Sequence, residues 1–454
     1  MGKNKRHING HMALFIHIVL IVLMSPAALH AQKAWTLEQC CDYAVEHNIS
    51  LRQKENQKLQ QELQLSNARN QRLPDLNGSV GENLSFGRGL TADNTYTNTN
   101  TSSTSFSLGT SIPLFTGFQI PNQIRLSRLN LEATTEELEK ARNDIRMQVA
   151  QEYVQVLYDM ELLNVARRQV EIDSAQVDRL EKLLAVGKAS EAQVSQQQSS
   201  LAQSRLTATQ ANNNLQLARL SLAQLLELDR PEGFTIARID SIEQALAPSA
   251  LSPTLIDEVL AEALVVKPEI HSGQLRLEAA DRSIDIARAG LYPTLSFSAG
   301  LGTNYYTTSG FTADPFGRQL KNNFSQYLGL SLNIPIFNRL QTRNSIRSAK
   351  IDRENRLLEL DNTKKTLRKE IQQVFYNTVA AHEKVSSCQQ ACRASEDAFR
   401  LTQAKYEQGK STVTEFNEAK NNLMKTASDL TQARYECLYQ HALIKFYRGQ
   451  QLRF

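Results

Sequence analysis

The feature that most constrains this chain is an internal duplication at a spacing of 222 residues. Ser111-Ile112-Pro113-Leu114-Phe115 returns as Asn333-Ile334-Pro335-Ile336-Phe337, and Val186-Gly187-Lys188-Ala189-Ser190 returns as Gln408-Gly409-Lys410-Ser411-Thr412. Arg72-Leu73-Pro74-Asp75-Leu76 returns as Leu291-Tyr292-Pro293-Thr294-Leu295 at a spacing of 219. Each half reads as a helix, two strands, a very long helix, a glycine turn and a returning helix. Such a repeat is one supersecondary plan laid down twice. Length alone, 454 residues, would suggest two or three independent domains; the duplication predicts two fused halves of one fold. The expected organisation is an export signal at 1–31, a first repeat at 32–228, a linker at 229–253 and a second repeat at 254–454.

Each half carries two segments that alternate with period two. Leu76, Gly78, Val80, Leu84 and Phe86 fall on one face, interrupted by Glu82, and Phe106, Leu108, Thr110, Ile112 and Leu114 repeat the pattern. In the second half Leu295, Phe297, Ala299 and Leu301 are followed by Phe324, Leu328, Leu330, Leu332 and Ile334. The opposite faces are Ser, Asn and Gly. Alternation of this kind predicts strands with one apolar side. A soluble sandwich would also alternate, but these runs are long for a globular sheet. They suit tilted membrane strands whose small, polar side faces water. A bilayer accepts strands only in closed barrels, and four strands cannot enclose a water-filled lumen. The strands are therefore expected to be pooled: a homotrimer supplies twelve, whereas a dimer's eight would be nearly filled by side chains. The Thr- and Asn-rich stretch Gly89–Ser103 and the stretch Tyr306–Asn323 are expected as outer loops.

The remaining length is helical. After Pro121 no proline or glycine occurs until Gly187, which allows a helix of about 100 Å at 1.5 Å per residue. The equivalent stretch runs from Leu340 to Gln408. Heptad spacing of Val194, Leu201, Leu215 and Leu222, and of Phe416, Leu423, Leu430, Cys437 and Ile444, predicts left-handed pairing into antiparallel hairpins. Tyr153, Val156, Met160, Leu163, Val170 and Val177 form the facing seam, interrupted by Arg167 and Ser174. Shorter helices are expected over Thr36–Gln71 and Pro253–Ala289, and a short strand within the linker at Phe234–Ile239.

Composition excludes several classes. A mean hydropathy of -0.40 rules out a bundle of membrane-spanning helices. Lys3, Lys5 and Arg6 precede the apolar run Met12–Met24, too short to span a bilayer, and Ala27–Ala31 follows as a cleavage region. The net charge of +4 falls near zero without those three cations, so no nucleic-acid partner is expected. Gln39 precedes Cys40-Cys41, which argues against lipidation there. The five cysteines read mainly as small buried hydrophobes, with Cys40 or Cys41 open to bridging, and an odd count leaves at least one thiol unpaired. Gly409-Lys410-Ser411 imitates the end of a phosphate-binding loop but lacks the earlier glycine, Ala404 standing there, and the preceding strand. His47, His271, His382 and His441 are scattered. Neither a catalytic set nor a metal site is legible, and no enzyme or cofactor is expected.

The duplicated plan, the two hairpins, the Ile-Pro-Leu-Phe and Ile-Pro-Ile-Phe segments and the glycine turns together resemble the TolC-like outer-membrane efflux protein family over essentially the whole mature chain. The resemblance implies a mixed α+β membrane protein: a trimeric twelve-strand barrel continued by a coiled-coil periplasmic tunnel. It implies an exit duct of a tripartite efflux pump for small molecules, with outer-membrane lipid around the barrel. A periplasmic adaptor and an inner-membrane transporter would be its partners. It places the adaptor-docking turns at Val186, Gly187, Lys188 and Gly409. It places an entrance gate around Tyr406, Gly409, Lys410, Ser411 and Thr412, near a position where some relatives carry a basic gate residue, and an acidic ring at Glu415 and Glu418. The first-half counterparts of those acids are Gln193 and Gln196, and Lys182, Lys188, Lys405 and Lys410 lie near the same ends. The alternatives are a type I protein secretion duct and, in a different class, a periplasmic adaptor or coiled-coil scaffold; a surface adhesin and a hydrolase stand further off.

Overall fold

A computed structural model describes residues 34–90, 94–229, 231, 233–239 and 254–453. The proposed export signal, 1–31, and most of the linker lie outside the described residues. The first half begins with α1 (Leu37–His47) and α2 (Ile49–Asn70), followed by β1 (Asn77–Leu90), β2 (Tyr96–Thr116), α3 (Gln119–Ala185) and α4 (Glu191–Leu225). The second begins with α5 (Thr254–Val266) and α6 (Pro268–Ala289). It continues with β3 (Thr294–Thr308), the short α7 (Phe316–Asn322), β4 (Ser325–Asn333), α8 (Gln341–Glu407) and α9 (Val413–Tyr447). Each helix expected ahead of the strands is broken in two. Asn48 caps α2, accepting from the Ser50 N–H, and Pro268 at the start of α6 cannot continue the ladder of α5.

The four strands form one antiparallel sheet in the order β1-β2-β3-β4. Pairing of β2 with β3 joins the halves. Around Phe106–Leu114 the register keeps the apolar side together across all four strands: Val80 opposes Phe106, Leu108 opposes Leu301, Phe297 opposes Leu330 and Leu295 opposes Leu332. On the other side Ser79 opposes Ser107, Gly109 opposes Gly300 and Ser296 opposes Ser331. A shift of one residue would turn every apolar side chain over. Large apolar residues here stand exposed, among them Leu328 at 79% and Phe86 at 73%. From Phe106 to Leu114 the apolar run covers about 27 Å of strand at 3.4 Å per residue, comparable to the ~25 Å apolar band of a membrane barrel. Among the described residues no helix is long and apolar enough to cross a membrane.

The expected outer loop at Gly89–Ser103 is mostly strand. β1 runs to Leu90 and β2 starts at Tyr96, so Thr97–Ser103 pairs with β1. Its β-branched threonines fit a pleated surface, and pairing satisfies their backbone groups better than an open loop would. Conversely, β4 stops at Asn333 and leaves Ile334–Phe337 outside any strand, whereas Ile112–Phe115 stays within β2 at a bulge. Above Gly302, where β4 begins, α7 covers the free edge of β3. The Gln319 side-chain amide takes the Tyr306 N–H and donates to the Tyr306 carbonyl, both at 3.0 Å, replacing a strand partner.

Sheet and helices meet at a sharp corner. Gly117 and Phe118 are both left-handed (φ 60° and 68°), as are Arg339 and Leu340 (55° and 63°), so each long helix starts from the same reversal. The main core lies lower, where α1, α3, α4 and α9 pack around Val149, Val156, Leu157, Leu222 and Leu226. The strand expected at Phe234–Ile239 is a single parallel bridge from Ile236 to Trp35, and the Tyr153 hydroxyl donates to the Ala237 carbonyl at 2.7 Å. All five cysteines are unbridged. Burial pushes the Cys40 and Cys41 thiols up to about 12, which suits inert core thiols.

A Cβ at Gly117 would lie 2.6 Å from the Ala289 carbonyl oxygen and 2.9 Å from the Tyr292 Cβ. Gly117→Ala combines that clash with a left-handed backbone and is expected to cost about 1–3 kcal/mol. Gly87→Ala, which meets nothing within 4 Å, is the control. Thermal melting of the detergent-purified proteins should separate the two; equal melting temperatures would show that the corner tolerates a side chain.

Candidate functional site at the hairpin tips

Both hairpins end in the same turn, built twice from local chemistry. Gly187 and Gly409 share φ +72°, a conformation costly for any residue with a Cβ. The Lys188 N–H donates to the Leu183 carbonyl at 2.8 Å, and the Lys410 N–H to the Lys405 carbonyl at 2.9 Å, closing each helix with a Schellman pattern. The returning helices then start with capping boxes. Ser190 pairs with Gln193, and Thr412 with Glu415. Val186, Gly187, Lys188, Gly409 and Lys410 are exposed on these tips, with Val186 at 65%.

The two tip acids have different surroundings. The Glu415 carboxylate accepts from its own helix start, from the Thr412 N–H at 3.0 Å and from the Ser411 hydroxyl. The Ser411 bond, the Thr412 bonds and nearby Lys405 hold its carboxyl below the usual carboxylate range. Glu418 is exposed on the same face. Glu415 is therefore a capping residue as well as a tip charge, a role that the S/T-x-x-E/Q pattern carries in sequence.

The second hairpin is fastened to the first by a ladder along α3. On the lowest rung the Arg179 guanidinium lies 5.7 Å over the Tyr406 ring and donates to the Glu407 carbonyl at 2.9 Å. Next, the Gln176 side chain lies beside the Tyr406 hydroxyl. The Tyr406 ring also stacks on Phe416, centroids 5.0 Å apart. Burial raises the Tyr406 pKa, with Gln176 and Arg179 opposing the shift, so the phenol is neutral at physiological pH.

The top rung, roughly 20 Å from the tips, is an ion pair excluded from solvent. Asp173 is fully buried, and Lys420 of α9 is 2% exposed. The Lys420 ammonium donates to the Asp173 carboxylate at 2.5 Å. Gln197 of α4 donates to Asp173 at 2.9 Å, and the Ser204 hydroxyl donates to its other oxygen. One carboxylate thus gathers α3, α4 and α9. Sequence reasoning missed this cluster, although both residues interrupt apolar seams: Asp173 lies between Val170 and Val177, and Lys420 between Phe416 and Leu423. Their counterparts are Ser395 and Gln198, so the pair is not repeated in the other half. The fold also brings His382 beside Cys437 and His441 within the second hairpin, where the scattered sequence positions suggested no grouping.

Removing one partner of a buried ion pair leaves an uncompensated charge and costs about 3–5 kcal/mol. Asp173→Ala should therefore destabilise strongly, and adding Lys420→Met should recover most of the loss. Additive effects in a double-mutant cycle would show that the pair is not coupled.

The two capping boxes give a pH test with a built-in control. Because the folded Glu415 carboxyl titrates below its free value, its contribution is complete above the ordinary carboxylate range and is lost as pH falls through the folded value. After correction for the intrinsic rate, amide hydrogen-exchange protection in the first turn of α9 should fall on acidification, while that of α4, capped by neutral Gln193, should show no added acid sensitivity. Glu415→Gln should make α9 behave like α4. Matching acid responses in the wild-type helices would remove this role from Glu415.

A family model described as outer membrane efflux protein matches residues 41–227 and 259–448. The chain is 27% identical over 278 residues to the fusaric acid resistance protein FusA of Burkholderia cepacia, covering 60% of this chain and 49% of that protein. It is 26% identical over 378 residues to the pyoverdine export outer membrane protein OpmQ of Pseudomonas aeruginosa, covering 80% of this chain and 74% of that protein. Thus the match spans about half the length of the first relative and three quarters of the second. Among solved structures, the outer membrane protein VceC of Vibrio cholerae has a TM-score of 0.73 and 19% identity, covering 92% of this chain and 97% of that one. At that identity the likeness is one of fold.

Proposed function

Because the chain belongs to the outer membrane efflux protein family, we propose that three copies form the outer-membrane exit duct of a tripartite pump, passing small molecules from periplasm to exterior. The observation that carries this reading is the sheet. Its apolar face is exposed along its whole width, and β1 and β4 are its outer strands, each bonded to one neighbour. In hydrocarbon those free edges must be paired. Three copies close twelve strands around a lumen lined by the Ser- and Gly-rich face. The names of FusA and OpmQ, which refer to fusaric acid resistance and pyoverdine export, support small molecules as cargo.

The long hairpins would continue the barrel as a periplasmic tunnel. The exposed turns at Val186, Gly187, Lys188 and Gly409 are the surfaces available to a periplasmic adaptor, which would link the duct to an inner-membrane transporter. The α3 ladder gives the gate its physical content. Opening requires the second hairpin to leave the first, breaking the Arg179 and Gln176 contacts to Tyr406 while the buried Asp173–Lys420 pair acts as the pivot above them. Such a transition is a swing of one bistable element biased by partner contact. Three copies of Glu415 and Glu418 would place six carboxylates around the entrance, attracting cations and repelling one another.

Single-channel conductance in planar bilayers tests this reading. The wild type should conduct weakly, and Tyr406→Phe with Arg179→Ser should raise the conductance several-fold. Glu415→Gln with Glu418→Gln should reduce cation selectivity. Well-folded protein that fails to insert, or that remains monomeric in detergent, would overturn the duct. A conducting wild type with an unchanged acid-to-amide variant would discard the acidic ring alone.

A further inference from the structure

The second hairpin contains a three-residue cluster that the duct reading does not use. His382 projects from α8 toward Cys437 and His441, which stand one turn apart on α9. One ligand atom from each lies within 4.8 Å of the others. Cys437 is fully buried and His441 is 8% exposed, while His382 is half-buried. The His441 Nε2 is buried and has no hydrogen-bond partner among the described residues. An imidazole nitrogen left so costs about 1–3 kcal/mol unless something binds it. The cluster is specific to this hairpin, because the first-half counterparts are Met160, Leu215 and Arg219.

We infer that His382, Cys437 and His441 form a binding site for a zinc-class transition-metal ion that ties α8 to α9. Two imidazoles and one thiolate are ligands of borderline-soft ions, and three protein ligands leave a fourth position for water. With bonds of about 2.0 Å to nitrogen and 2.3 Å to sulfur, a tetrahedral ion holds its ligand atoms about 3.5 Å apart, so side-chain rotations of about 1 Å close the site. His382 lies on the open side and gives the ion its entry.

Coordination asks different things of the imidazole and of the thiol. Burial, then His382 and Lys445, lower the His441 pKa and keep its imidazole neutral and able to coordinate. Burial and Glu436 push the Cys437 thiol up to about 11. An incoming divalent ion therefore displaces the thiol proton: the S–H bond breaks, a sulfur–metal bond forms, and one proton is released to solvent. No oxidation occurs. Because the ligands face each other within the α8–α9 contact, the ion would fix the register of those helices in the hairpin that carries Lys420, Glu415 and Glu418. It would act as a structural clamp on the mobile hairpin.

The test uses the full-length protein in detergent, reduced and stripped with a chelator, with Co²⁺ as the optical probe. One Co²⁺ per chain should bind with an intense thiolate-to-metal absorption, and Zn²⁺ should bleach it stoichiometrically. Cys437→Ser should abolish that absorption, His441→Gln should weaken binding at least tenfold, and Cys388→Ser with Cys392→Ser should leave it unchanged. If Cys437→Ser fails to fold, the wild type answers instead: Zn²⁺ should slow alkylation of Cys437 several-fold, read by peptide mass spectrometry. Absence of both the absorption and the protection in folded protein would overturn the site, as would an absorption that depends on Cys388 and Cys392. Binding of Cu⁺ but neither Co²⁺ nor Zn²⁺ would overturn the zinc-class assignment.

Discussion

Backbone hydrogen bonding in hydrocarbon is the constraint from which the rest of the molecule follows. An unpaired strand edge costs several kcal/mol per polar group where no water can reach it. One copy of the repeat supplies a hairpin, and two supply a four-stranded sheet joined through β2 and β3. That sheet still presents β1 and β4 at its edges. Duplication therefore solves half of the problem within the chain and leaves the other half to assembly. Around Phe106–Leu114 the apolar face and the serine–glycine face are aligned across the strands, so that part of the sheet is already sorted into a lipid side and a water side.

Below the sheet the same duplication sets up two equivalent hairpins and then departs from equivalence where they meet. Turns, left-handed corners and capping boxes recur with the same conformation at equivalent positions. Several of the differences fall in the contacts between hairpins and within the second one. Asp173 faces Lys420, whereas their counterparts are Ser395 and Gln198; Glu415 replaces Gln193; and Cys437 and His441 replace Leu215 and Arg219. Local geometry needs the repeated residues, because a helix end has orphan donors and acceptors wherever it occurs. The unlike residues supply the contacts that are not repeated.

The ion pair has a further consequence. A buried salt bridge is a weak source of net stability, but separating its partners leaves a charge unpaired in low dielectric. Asp173 receives Lys420, Gln197 and Ser204. It therefore fixes how three helices sit together above the half-buried contacts at Tyr406.

The amino-acid sequence by itself determined the elements and their order. Period-two alternation, proline-free helical runs, glycine turns and heptads are local patterns, and each reports on neighbours a few residues away. It also carried the family resemblance and the tip residues from Val186 to Lys188 and from Tyr406 to Glu418. It misjudged Gly89–Ser103, because a Thr- and Asn-rich run satisfies the composition of a loop and of a polar strand equally well, and only pairing with β1 distinguishes them. Asn48 and Pro268 both start helices, and the unbroken helices expected over Thr36–Gln71 and Pro253–Ala289 pass over them. What the tertiary structure alone decided is which distant residues share one space: Asp173 with Lys420, Arg179 with Tyr406, and His382 with Cys437 and His441. Those contacts depend on the rotation and offset of helices about 100 Å long, which small differences in packing set and no local periodicity records.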